Sequence, residues 1–106
     1  KYISENPEVA QGFSNAVYKA LLWADSHSAD EIVEAMKPLF TNSETLPTAI
    51  KEIKENDIWS VTGQFSDEGF AAINRVATAS GLINSDVDRA DVIAEDFMNN
   101  SHKNIK

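Results

Sequence analysis

The sequence contains no cysteine. Disulfides, thiol catalysis and thiolate metal sites are therefore excluded. Basic residues are scarce, with nine Lys and Arg against seventeen Asp and Glu, a formal charge of −8. Nucleic-acid binding depends on Lys and Arg neutralising phosphates, so that class is disfavoured. An anionic membrane surface is disfavoured on the same ground. No run of about 18 apolar residues occurs, so no transmembrane helix is expected. No signal peptide is visible. The chain opens on Lys1 instead of methionine, as expected of a processed or excised piece.

Recognisable catalytic patterns are also missing. There is no G-x-S-x-G, no H-E-x-x-H and no P-loop. The glycines Gly12, Gly63, Gly69 and Gly81 are scattered along the chain. Asp86, Asp88 and Asp91 begin like a calcium loop. They then place Asp91 where the loop needs glycine and Phe97 where it needs a bidentate Glu. A helix N-terminus carrying carboxylates near its positive end is the simpler reading. His27 has Asp25, Asp30 and Glu31 nearby, but one histidine is short of the three or four ligands zinc requires. No catalytic residue, no metal site and no cofactor is expected, and the protein is read as a non-enzyme.

What is present is helical periodicity. The length of 106 residues suits one domain, read as residues 1–106. The chain is organised around NPEVAQGFSNAVYKALLWAD, residues 6–25. Asn6 is a preferred N-cap and Pro7 suits the first helical position. Val9, Phe13, Ala16, Val17, Ala20, Leu21 and Ala24 recur at three- and four-residue steps and predict the buried face. Gln11, Ser14, Asn15 and Lys19 are assigned to the solvent side. Gly12 costs about 1 kcal/mol against Ala in a helix interior, so a closely packed neighbour is expected there.

Shorter helices follow. Ser28-Ala29-Asp30-Glu31 has the form of a capping box, and Pro38 stops the helix it opens. Leu39 and Phe40 are expected to pin the next turn to the core. Leu46, Ile50 and Ile53 form the stripe of a third helix, with Lys51, Glu52, Lys54 and Glu55 on a solvated face. Residues 58–65 lack helical period and predict a loop anchored by Ile58 and Trp59. Ser66 caps a fourth helix whose core face is Phe70, Ile73, Val76 and Ala77. Gly81 suits its left-handed ending. Asp88 is placed to cap a last helix carrying Val92, Ile93, Phe97 and Met98, after which the polar tail is expected to fray. The fold class is mainly α, about five helices with short connections. Trp59 lies on an irregular stretch, where binding residues often occur, and is the one ligand-contact candidate.

Four segments in order carry a family resemblance: YISENPEVAQGFSNAVYKALLWADSHSADEIVEAM, ETLPTAIKEIKENDIW, FSDEGFAAINRVATASGLI and VDRADVIAEDF. They resemble the C-terminal part of the extracytoplasmic solute-binding proteins of ABC transporters, in the nitrate/sulfonate/taurine and thiamine-precursor class. The resemblance implies the helical end of a two-lobed periplasmic-binding-protein (type II) α/β fold, and so a fragment of a larger protein. It implies an extracytoplasmic parent, a small-molecule ligand held mostly by upstream residues, and an ABC permease as partner. A lobe cut from its parent is also expected to self-associate. Two alternatives remain open: a self-standing helical interaction module, and a fragment of a thiamine-pyrimidine synthesis enzyme.

Overall fold

Helix α2, Pro7–Ser26, is the long strut of the structure. The structure is a computed structural model that describes residues 1–41 and 43–105. A one-turn helix α1 (Tyr2–Glu5) precedes the strut. After it come α3 (Ala29–Met36), a 3₁₀ turn (Lys37–Leu39), α4 (Leu46–Glu55), α5 (Asp67–Ala79), the one-turn α6 (Arg89–Val92) and α7 (Glu95–Asn104). Five helices have eight residues or more, and no strand occurs among the described residues. The mainly α class is as the sequence predicts.

Two packing units share the strut. The first joins α3 to α4 around Ile32, Val33, Leu46 and Ile50, with Ala24, Met36, Ile53 and Trp59 against them. The capping box forms: the Ser28 N–H donates to Glu31 Oε2 at 2.8 Å, and Ser28 Oγ accepts from the Glu31 N–H at 3.3 Å. This bond to the carboxylate holds the Glu31 carboxyl below its ordinary range. The sequence pattern places Lys54 on a solvated face. Instead its ammonium donates to the carbonyls of Ala24 (2.7 Å), Asp25 (3.2 Å) and His27 (2.6 Å). One side chain of α4 thus closes the C-terminus of α2, where free carbonyls and the negative dipole end favour a cation.

The second unit pairs α2 with α7. Here the predicted faces exchange roles over the first half of α2, while Leu21, Ala24 and the exposed Lys19 lie as predicted. Ser14 is buried and Gln11 and Asn15 are half-buried, whereas Val9 is 57% and Phe13 73% exposed. The reason lies in α7, which offers Ser101 and the Phe97 carbonyl, partners for hydrogen bonding and not for an apolar stripe. The N-terminal part of the stripe, at Val9 and Phe13, consequently has no cover among the described residues, whereas Leu21 and Ala24 are half-buried and Ala24 packs on the α3–α4 core. Gly12 meets no close neighbour either, since a Cβ built there has nothing within 4 Å.

Other expectations fail for related reasons. The Asn6 side chain donates back to the Tyr2 carbonyl at 3.2 Å and caps nothing in α2. Leu39 (79%), Phe40 (47%), Ile58 (63%), Ile73 (50%) and Val76 (69%) are exposed, because no described element reaches them. The last helix is interrupted at Ile93–Ala94, and Asp88 makes no side-chain cap bond. The tail does not fray after Asn99: α7 continues to Asn104, and Ser101 is fully buried. Ser66 and Gly81 act as predicted. Ser66 Oγ accepts from the Gly69 N–H at 3.0 Å. Gly81 has φ +76, with the Leu82 N–H donating to the Ala77 carbonyl at 2.9 Å in a Schellman ending.

Helix α5 packs broadly on no other helix. Asn74 holds it by two bonds to the backbone of Val87, one accepted and one donated, both 3.1 Å. Arg89 adds a second tie to its start through Asp67. The result is an open molecule. Its radius of gyration is 16.7 Å, against about 13 Å for a compact chain of this length. Its accessible surface is 7985 Å². A compact protein of 11.7 kDa exposes about 5,900 Å², so roughly 2,100 Å² is in excess.

Candidate functional site

The uncovered stripe of α2 forms one wall of a cleft of about 590 Å³. Its position follows from the α2–α7 pairing: with the polar face turned to α7, Val9, Phe13 and Val17 line the opening. Tyr2 and Ile3 of α1 extend the wall. Gly63–Phe65 and Ile93–Ala94 supply the floor with Phe97 and Met98 of α7. Gly63 lets the loop lie close, since a Cβ there would stand 2.7 Å from Met98 Cε.

Beneath the cleft runs a polar seam. The Gln11 amide donates to the Phe97 carbonyl (2.9 Å), to Asn15 Oδ1 (3.0 Å) and to Ser101 Oγ (3.2 Å). Ser14 and Ser101 hydroxyls lie 2.9 Å apart, and Ser101 donates toward Asn15 Oδ1 at 2.8 Å. No described buried side-chain polar atom lacks a partner. A fully satisfied seam fixes which residues of α2 face α7, since a shifted register would strand these groups away from water.

The loop that forms the floor is itself tied to α7. Gln64 Nε2 donates to Asn99 Oδ1 at 2.7 Å, and His102 donates from Nε2 to the Thr62 carbonyl at 2.7 Å. His102 also stacks on Tyr18, ring centroids 4.5 Å apart. On the far side, Arg89 donates to Glu95 Oε1 (2.7 Å), Asp67 Oδ1 (2.9 Å) and the Phe65 carbonyl. It binds α5, the floor loop and α7 together.

The chemistry of the cleft follows from this pairing. Three of its polar lining groups are already engaged, Ser14 with Ser101, Gln64 with Asn99 and Glu95 with Arg89, and the exposed Tyr2 hydroxyl stands at its edge. No Lys, Arg or His lines it. An anion would find no cationic donor there and would approach the Glu95 carboxylate. The cleft suits apolar matter, and the 73% exposure of Phe13 makes it a broad face, not an enclosed chamber.

Trp59 lies elsewhere. It packs beside the α3–α4 core and borders a crevice of about 40 Å³ with Leu21, Ala24, Asp25, Ile53 and Lys54. That volume is far below the range of ordinary ligand pockets. His27 stacks on Trp23 at 4.2 Å and donates from Nδ1 to the Trp23 carbonyl at 2.7 Å. A second apolar surface, about 370 Å³, runs along α5 past Ile73, Val76 and Leu82. Sequence reasoning missed Gln11, Ser14 and Asn15 as packing residues. Their i, i+3, i+4 spacing is itself a helical stripe and was the available signal.

No protein-family model matches the chain, and no solved structure matches it significantly. A protein of Bacillus subtilis (strain 168) named "Putative binding protein YtlA" is 28% identical over 82 residues. The match covers 76% of this chain and 25% of that protein, so the chain spans about a quarter of the length of the curated relative it matches. The chain is thus similar, at a distance, to a protein named as a binding protein.

Proposed function

We propose that the chain is the helical part of a longer solute-binding protein that delivers a small molecule to an ABC importer outside the cytoplasm. The observation that carries this reading is the uncovered apolar surface. About 2,100 Å² beyond a compact chain's area is exposed, and the α2 stripe that should be core faces an open cleft. A surface of that size and character is what a larger fold leaves when one part is taken alone. The similarity to one quarter of a named binding protein supports the same reading.

The ligand would be of the sulfonate, taurine, nitrate or thiamine-precursor type. An anionic member of that set needs several donors, and this cleft offers no cationic one, so most of those contacts belong to the rest of the longer protein. The role is non-enzymatic: the ligand would bind where two lobes meet and favour the closed state, which the permease reads. The test is a thermal-shift series on the longer protein with taurine, alkanesulfonates, nitrate and aminopyrimidines. Ligand bound only to the folded state raises Tm, contributing about 2.7 kcal/mol of stabilisation at a hundredfold excess over Kd. A shift with one class supports the reading and names the cargo. No shift with any class, in a folded protein, refutes this ligand assignment.

A further inference from the structure

We propose that residues 66–88 form one hinged arm, and that Arg89 is the clasp that fixes its position. The proposal rests on bonding inside this chain and is independent of the ligand read for the longer protein.

The arm is α5 together with the segment that returns from it, and it is stitched to itself. Asn74, only 7% exposed, accepts from the Val87 N–H and donates to the Val87 carbonyl, both at 3.1 Å. The Leu82 N–H donates to the Ala77 carbonyl at 2.9 Å, and the Thr78 hydroxyl donates to Asp86 Oδ1 at 3.3 Å. Bonding outward is sparse. Among the described residues, two hydrogen bonds leave the arm. The Asp88 carbonyl accepts from the Asp91 N–H at 3.1 Å, one turn further on. Asp67 Oδ1 accepts from Arg89 Nη1 at 2.9 Å. No broad packing of α5 on another helix adds to them.

Arg89 stands where the two ends of the arm meet. It follows Asp88 at the exit, and its guanidinium binds Asp67 just inside the entry and the Phe65 carbonyl just outside it. The same group holds Glu95 of α7. One side chain thus pinches both ends of the arm onto α7. This clasp is wet: the Asp67 side chain is fully exposed and that of Glu95 is 46% exposed. Exposed ion pairs hold weakly, whereas opening the buried Asn74 staple would strand polar groups away from water. The weakest line therefore runs around the base of the arm and not through it. Ser66 and Asp88, extended residues at its two ends, are the hinges, since element-terminal residues absorb such rotations. Release of the clasp carries the apolar surface of Ile73, Val76 and Leu82 along as one body.

Pulsed electron paramagnetic resonance on the longer protein, without ligand, tests this. Spin labels go on Lys19→Cys of α2 and Ser80→Cys at the far end of α5, with any cysteine elsewhere replaced. Arg89→Gln should widen the distance distribution at least about twofold. Amide exchange at Leu82 and Val87, whose N–H groups bond within the arm, should stay within about threefold of the parent. If Arg89→Gln does not fold, Asp67→Asn combined with Glu95→Gln removes both carboxylates and reads the same clasp. An unchanged distribution would overturn the proposal. So would faster exchange at Leu82 and Val87, beyond about threefold, because the arm would then melt instead of swinging.

Discussion

Lys54 closes the longest helix from the side of a different one, and replacing it by methionine isolates that role. Methionine keeps most of the aliphatic stem, which borders Ile53 and Trp59, while deleting three N–H donors. The lost bonds are those to Ala24, Asp25 and His27, at 2.6–3.2 Å. A hydrogen bond to a charged group contributes about 1.5–3 kcal/mol when buried. Here one ammonium is shared among three carbonyls and is partly open to water, which can rehydrate them. A helix C-terminus gains about 0.3–1 kcal/mol from a nearby cation. Together these put Lys54→Met at about 2 kcal/mol of destabilisation, or roughly 10 °C in Tm for a chain of this size. Urea titration followed by circular dichroism, at one fixed protein concentration, reads it. Lys54→Arg should recover part of the loss, because a guanidinium also donates. A Lys54→Met variant within about 0.5 kcal/mol of the parent sequence would refute the claim that this ammonium joins α2 to α4.

Three further outcomes follow from the same bonding. Asn74→Ala removes the buried amide that pairs both backbone groups of Val87 and should cost about 1–2 kcal/mol by urea titration, loosening α5 first in hydrogen exchange. Gly81→Ala, at φ +76, should cost about 1–2 kcal/mol in the same assay. The Glu31 carboxyl is held down chiefly by the Ser28 backbone N–H. A depressed carboxyl contributes stability that is present at neutral pH and lost as pH falls through its folded value. Acid titration of Tm should therefore be steeper in the parent sequence than in Glu31→Gln, with the two curves converging at low pH.

Much of the fold was legible because local signals agree. The Ser28–Glu31 box, the Ser66 cap and the Gly81 ending are each set within a few residues, and each forms. Periodicity located α2, α3, α4 and α5. It did not tell which face is covered, because that depends on the partner. The stripe at Val9 and Phe13 reads as core by spacing, yet the element that packs on α2 is polar, so Gln11, Ser14 and Asn15 are buried in its place. The tail NNSHKN reads as frayed by composition. It is helical because Ser101 completes the seam and His102 reaches Thr62. The cleft was not legible at all, since its floor comes from residues 63–65 and 93–98, distant in sequence from its α2 wall.

The central claim is that the apolar stripe of α2 is a surface made to be covered. The 106 residues hold no cysteine, so a single Cys placed there, with any cysteine elsewhere in the longer protein replaced, reports this site alone. Val9→Cys in the longer protein should react with a thiol reagent at least about tenfold more slowly than in the denatured chain, in proportion to the burial of a thiol in a packed interface. Reaction at the denatured rate, in a longer protein otherwise shown to be folded, would contradict it.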